Sequence, residues 1–173
     1  TYNVAIGDNT GKAITTGVNS TLIGGLAGDA ITTANNNVAV GKSALSAETS
    51  GANCTALGSN ALAAQNVGSG TNVANTAVGY DAGLAVTTGI NNVLIGAYAG
   101  DALTDADDNV AIGKDALGSD TLGSKSIAIG QGSLLNQNLT TATDAHNVCV
   151  GHATGNQITT GVRNVMIGGL AGD

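Results

Sequence analysis

The residues with the most chemical capacity are few. Asp101, Asp105, Asp107 and Asp108 fall in GDALTDADDN, where several carboxylate oxygens could gather a hard cation such as calcium. The stretch 72 residues earlier, DAITTANNN at 29–37, carries Thr33, Asn35 and Asn36 where three of these carboxylates stand. Neither EF-hand nor RTX spacing occurs. Asp105, Asp107 and Asp108 are therefore weak metal candidates, and a solvated turn is the expectation. His146 and His152 flank one short segment without Cys or Glu at ligand spacing, which reads as two surface histidines. GSGT at 68–71 lacks the strand–helix context of a phosphate loop, and no serine sits in a nucleophile elbow. Sequons at Asn19, Asn53 and Asn138 are what chance supplies in a chain this rich in Asn and Thr. The reading is a non-enzyme without cofactor or catalytic residues.

Cys54 and Cys149 occupy different positions of a repeat, about five coils apart, hence about 24 Å at the spacing of stacked strands. That is beyond disulfide reach. Ser126 and Ala77 stand at the corresponding places one 72-residue unit away, so both cysteines read as small buried fillers.

The elements that must position these groups are ten returns of one short phrase. NVAIG at 3–7, NVLIG at 92–96, NVAIG at 109–113 and NVMIG at 164–168 each end on glycine. The closing glycines are Gly7, Gly24, Gly41, Gly58, Gly79, Gly96, Gly113, Gly130, Gly151 and Gly168. Their spacing is 17, 17, 17, 21, then the same again, then 17, so four coils make a 72-residue unit. A fixed period near 20 predicts one supersecondary unit stacked on itself. The expected fold is an all-β parallel solenoid, a β-roll of ten coils about 48 Å long, with units at about 8–79 and 80–151 and a partial one at 152–173.

Composition agrees with thin layers rather than a globular core. The 173 residues are 42% apolar but include no Phe, Trp or Pro, only 3 Tyr, and 27 Gly. Burial must then come from Val, Ile, Leu and Ala, without the large areas aromatics supply. Five scattered Lys and Arg against a net charge of −7 cannot track phosphates, which excludes nucleic acid as a partner. Asn, Gly and Thr interrupt every long uncharged stretch, so no membrane-inserted helix fits.

Columns of the repeat carry the next expectations. The residue before each closing glycine (Ile6, Ile23, Val40 and their equivalents) and the one two places earlier (Val4, Thr21, Val38) form a β-branched pair on one strand face. These are expected to point inward. The residue between them is apolar in all ten coils: Ala5, Leu22, Ala39, Ala56, Ala77, Leu94, Ala111, Ala128, Cys149 and Met166. Placed outside, it would be a continuous apolar stripe, the expected interface of a symmetric trimer. Ahead of each strand an Asn, Ser or Cys (Asn3, Ser20, Asn37, Cys54, Asn75) suggests a corner bonded to backbone and to the next coil. A further column alternates Gly11, Gly28, Leu45, Leu62, then Gly83, Gly100, Leu117, Leu134, repeating the four-coil period.

Eight residues past the glycine stand Thr15, Thr32, Thr49, Thr87, Thr104, Thr121 and Thr159, replaced by Asn66 and Asn138 in the 21-residue coils. Such a column raises an ice-binding alternative. The alternating T-x-T of a flat two-column face is missing, and threonine suits a strand or turn in any case. The extra residues of the long coils, within 65–74 and 137–146, read as surface loops with Gln65, Asn66, Asn72, Asn138, Thr140, Thr141 and Asp144 as candidate contacts.

The repeated NVAIG-type motif resembles the head repeats of YadA-like trimeric adhesins, and NTAVGYDAGLAVTTGINN at 75–92 is similar to repeats of bacterial surface and phage tail-fibre proteins. The coils here, at 17 or 21 residues, are longer than the usual head coil of that family. The resemblance implies a homotrimeric fibre segment on a cell surface or virion, projecting adhesive elements toward a host receptor or glycan. GGLAGD at 168–173 repeats 24–29, which fits a piece of a longer fibre or head-to-tail stacking of copies. The alternatives are a self-polymerising extracellular filament and an ice- or glycan-binding solenoid. The hexapeptide left-handed helix of acyltransferases fits only one corner in three, because Lys12 stands where its next aliphatic belongs.

Overall fold

The computed structural model describes residues 2–68 and 71–173, and among these there is no helix. Twelve short strands follow in chain order: β1 Val4–Ile6, β2 Thr21–Ile23, β3 Val38–Val40, β4 Thr55–Leu57, β5 Thr76–Val78, β6 Val93–Ile95, β7 Val110–Ile112, β8 Gly123–Ser124, β9 Ile127–Ile129, β10 Thr143–Asp144, β11 Val148–Val150 and β12 Val165–Ile167. All except β8 and β10 join one ten-stranded parallel sheet in sequential order. Each coil adds one rung in unshifted register, Val4 opposite Thr21 and Ala5 opposite Leu22, and so to β12. The 17-residue period and the register are the same fact. One coil returns the chain to the next rung.

The strand faces are reversed from the sequence expectation. Leu22, Ala39, Ala56, Ala77, Leu94, Ala111, Ala128 and Cys149 are fully buried inside their own solenoid, and only Ala5 and Met166, in the outermost rungs, are less covered. They cannot form a subunit interface. The β-branched pair faces out instead, from Val4 and Ile6 at one end to Val165 and Ile167 at the other. The reason lies in the parity of the strand. The buried Asn that precedes it is two positions from the middle residue, so both share the inner face. A 17-residue coil also encloses a narrow lumen, which takes the single middle side chain of each strand beside the buried corner residue more readily than two branched ones.

The lumen is filled by exchange of volume. A Cβ on Gly28 would meet Leu22 Cδ2 at 2.9 Å, and one on Gly11 would meet Leu22 Cδ1 at 2.9 Å, so this single leucine fills two glycine-lined levels. Leu94 does the same between Gly83 and Gly100. Where the strand offers Ala39 or Ala56, Leu45 and Leu62 fill the space from the opposite wall. The Gly/Leu alternation and the Ala/Leu column are two sides of one packing rule.

Backbone demands explain the remaining columns. The closing glycines have φ between +121° and +141°, a region L side chains rarely adopt. A Cβ on Gly96 would also stand 2.6 Å from the Gly113 carbonyl of the next rung, so the glycines stack as a ladder of touching backbones. The Asn corner is as expected from sequence, and it points into the core. Asn92 Nδ2 donates to Ala106 O at 2.7 Å while Asn92 Oδ1 accepts from Asn109 N at 3.0 Å, and Asn37, Asn75, Asn109 and Asn147 repeat the pattern. One amide thus ties its own coil shut and holds the next.

The two long coils do more than bulge. Their extra residues return to the stack, β10 pairing with β8 and Asn72 bridging to Ala52. Ser69 and Gly70, part of the GSGT stretch, lie outside the described residues.

Candidate interaction face

Outward-pointing residues of the ten-stranded sheet form two columns, two residues apart along each strand and about 7 Å from one another. One column is aliphatic throughout: Ile6, Ile23, Val40, Leu57, Val78, Ile95, Ile112, Ile129, Val150 and Ile167. The other is aliphatic except for Thr21, Thr55 and Thr76, and neither contains a charge. Even mid-shaft the side chains meet solvent, with Val38 38%, Leu57 44% and Ile95 36% exposed. Branched side chains suit this placement, because they cover a pleated surface well.

Polar residues border the stripe on both edges. Directly after the closing glycines come the exposed Asp8, Lys42, Tyr80, Lys114, Gln131 and His152. On the opposite edge, before the buried Asn corner, are Asn19, Asn36, Asn53, Asn91, Asp108, Lys125, His146 and Arg163. His146 and His152 are exposed and sit on opposite edges of β11. Ten rungs at about 4.8 Å make the stripe about 43 Å long, and with side-chain width it covers on the order of 500 Å². A continuous apolar surface of that size with a polar border is the anatomy of a protein-binding face.

The other candidates from sequence scatter over the remaining walls. Asp105 Oδ1 accepts from Thr88 Oγ1 at 2.6 Å and Asp107 Oδ1 from Ile90 N at 2.8 Å, which ties these carboxylates to the preceding coil. No three His, Cys, Asp or Glu side chains among the described residues converge as a metal cage. Most threonine hydroxyls of the column are likewise engaged: Thr15 Oγ1 donates to Thr32 O at 3.1 Å, Thr32 to Thr49 O at 3.0 Å and Thr104 to Thr121 O at 3.0 Å. Of the loop residues, Asn66, Asn72, Asn138, Thr140, Thr141 and Asp144 are exposed, and Asp144 pairs with Lys125 Nζ at 2.6 Å. Gln65 is not a surface residue. It is fully buried, because its position in the coil points into the lumen.

Gln65 belongs to a buried polar group that the sequence reading missed. Glu48 Oε1 accepts from Ser50 N at 3.0 Å and Gly51 N at 2.6 Å, and Oε2 accepts from Gln65 Nε2 at 3.1 Å. Gln65 Oε1 in turn accepts from Asn75 Nδ2 at 2.8 Å, and Nε2 also meets Cys54 Sγ at 3.1 Å. The second unit repeats this with Asp120, Gln137, Asn147 and Ser126. In a regular coil the next rung supplies the acceptor, as Thr32 O does for Thr15, Thr16 and Gly17. The expanded rung displaces that carbonyl, and the carboxylate replaces it. A column reading Ile14, Ile31, Glu48, Gln65, then Val86, Leu103, Asp120, Gln137 is the signal that would have found the group. Burial pushes the Cys54 thiol up to about 11, against the Gln65 amide, which favours the thiolate.

No protein-family model, curated protein or solved structure matches this chain. The geometry of the face and the chemistry of its residues are what bear on function.

Proposed function

We propose that this chain is a structural shaft or head segment of a homotrimeric fibre, outside a cell or on a virion, that holds adhesive or receptor-binding elements away from their base. The observation that carries this reading is the outward stripe from Val4 and Ile6 to Val165 and Ile167, an apolar face that water leaves unfavourably solvated. Three such faces, each two side chains wide, close a six-residue apolar layer at every rung around a common axis. Unshifted parallel register makes each layer like the next, so the seam continues along the whole shaft. The resemblance of the NVAIG-type repeats to YadA-like heads points the same way. The mechanical role follows: ladders of backbone bonds along the axis and a covered seam resist bending and proteolysis together.

Mass measurement of the native particle, by light scattering or native mass spectrometry, tests this directly. Three chains are expected, and Ile95→Asp with Ile112→Asp should release monomers, because two charges would enter a dry layer. A parent protein that is monomeric at micromolar concentration would sink the fibre reading.

A further inference from the structure

The chain has three tyrosines and neither Phe nor Trp, and two of the three tyrosines meet. Tyr80 and Tyr98, from successive coils, form an edge-to-face pair with ring centroids 5.4 Å apart and planes at 85°. Tyr80 keeps half its surface exposed. The repeat does not require either ring. Asp8 and His152 stand at the equivalents of Tyr80, and Leu26 and Leu170 at those of Tyr98. At the Tyr98 position the other two units agree on leucine, whereas the Tyr80 position differs in all three.

Polar groups of both hydrogen-bonding senses surround the pair. The Asp81 carboxylate lies beside Tyr80 and holds its phenol above the ordinary range, and Asp81 Oδ1 accepts from Asn60 Nδ2 at 2.9 Å. Lys114 Nζ meets Asp115 Oδ2 at 2.8 Å and lies within electrostatic range of Tyr98. Asp101 is held above the usual carboxylate range, first by burial and then by Asp115 and Asp81.

We propose that Tyr80 and Tyr98, with Lys114 and Asp115 near them and the buried Asp81 holding Tyr80 in place, form a shallow saccharide-binding patch for a neutral hexose. The exposed Tyr80 ring offers a flat apolar surface to the C–H face of a pyranose, and the Asp115 carboxylate and Lys114 ammonium answer the hydroxyls at its edge. Asp81, Asp101 and Asp115 against the single Lys114 disfavour sialic and uronic acids. Among the described residues no concave pocket is present, which suits a sugar lying across a surface rather than an enclosed small molecule. A protein partner would use the larger apolar stripe instead. The patch deepens the adhesive part of the proposed function, yet it does not depend on the number of chains.

The test is a glycan array on the intact protein, followed by calorimetry with the retained sugars and a mass measurement on the same samples. Neutral hexose-terminated glycans are expected to be retained over sialylated ones. Tyr80→Ala should weaken binding about tenfold or more, and Tyr98→Ala less. Tyr80→Phe should stay within about threefold if stacking dominates. Tyr2→Ala, on an isolated and 87% exposed ring, serves as the unaffected control. Unchanged thermal melting of each variant shows that folding is intact. An array without any neutral glycan, or binding indifferent to Tyr80→Ala, overturns the proposal. So does a parent that binds no sugar and loses its assembly on Tyr80→Ala, which would assign the tyrosines to the subunit seam. A monomer that still binds through Tyr80 would reject the fibre while keeping the patch.

Discussion

Each 72-residue unit sets two contrasting kinds of coil on one backbone path, beside a glycine-lined level (Ala5 with Gly11, Ala77 with Gly83) that the neighbouring leucine fills. In the first kind Leu22 with Gly28 and Ile31, or Leu94 with Gly100 and Leu103, make an aliphatic layer. In the second kind Ala39 with Leu45 and Glu48, or Ala56 with Leu62 and Gln65, fill the same lumen partly with polar atoms. The difference teaches that volume and polarity are managed separately. Strand and opposite wall exchange a leucine to conserve volume. The third position changes chemistry only where the long coil takes away a backbone acceptor.

Four experiments break or sharpen that comparison. Gly96→Ala attacks what both kinds of coil share, and should destabilise by about 4 kcal/mol or more, since backbone of the next rung blocks the new methyl group. Chemical denaturation of the variant checks it, and a loss under about 1 kcal/mol would deny that the glycine ladder is required.

Glu48→Ala addresses the second kind alone. It strips the acceptor from Ser50 N, Gly51 N and Gln65 Nε2, and a loss of about 3–5 kcal/mol is expected. Converting the layer to the first kind, with Glu48→Leu and Gln65→Leu together, should recover part of that loss and still leave about 1–3 kcal/mol, because both backbone amides remain unanswered. Full recovery would show that the carboxylate serves packing rather than the displaced acceptor.

A milder transplant tests the volume rule. Leu94→Ala should lose about 2–4 kcal/mol by opening a cavity. Adding Gly100→Leu, at a backbone angle that Leu45 and Leu117 already adopt, should return at least about 1 kcal/mol in a double-mutant cycle. Strict additivity would mean that the two columns do not share one space.

The smallest expected effect concerns pH. Cys54 has its folded thiol pushed up to about 11, so its contribution is complete below the ordinary thiol range. It is lost as pH rises from about 8.5 toward 11, because there the unfolded chain gives up the proton first. Urea midpoints should fall over that window in the parent. Cys54→Ser, which copies Ser126 of the next unit, should make the decline shallower and leave Cys149 as the one thiol that alkylates on unfolding, where the parent has two.

Much of this architecture is legible in the residues. The interval between closing glycines states the rung spacing, and one rung per interval is a parallel solenoid. Asn92 and its equivalents declare a corner bonded coil to coil. Most hydroxyls of the threonine column donate to the next rung, as a strand or turn role for threonine leads one to expect. Gln65 lies among the extra residues of a long coil and so reads as loop, yet its own column, shared with Ile14 and Ile31, points inward.

By itself, the order of residues determined the period, the stacking and the presence of apolar columns on both faces of each strand, since these depend only on repetition and on alternation by two. Which column is inside was decided by tertiary structure. Alternation defines two faces without a sign, and both faces here are apolar, so hydrophobicity cannot choose between them. The cross-section of a 17-residue coil does: it admits Ala39 or Leu22 beside a buried Asn and turns the wider Val38 and Val40 pair to the outside.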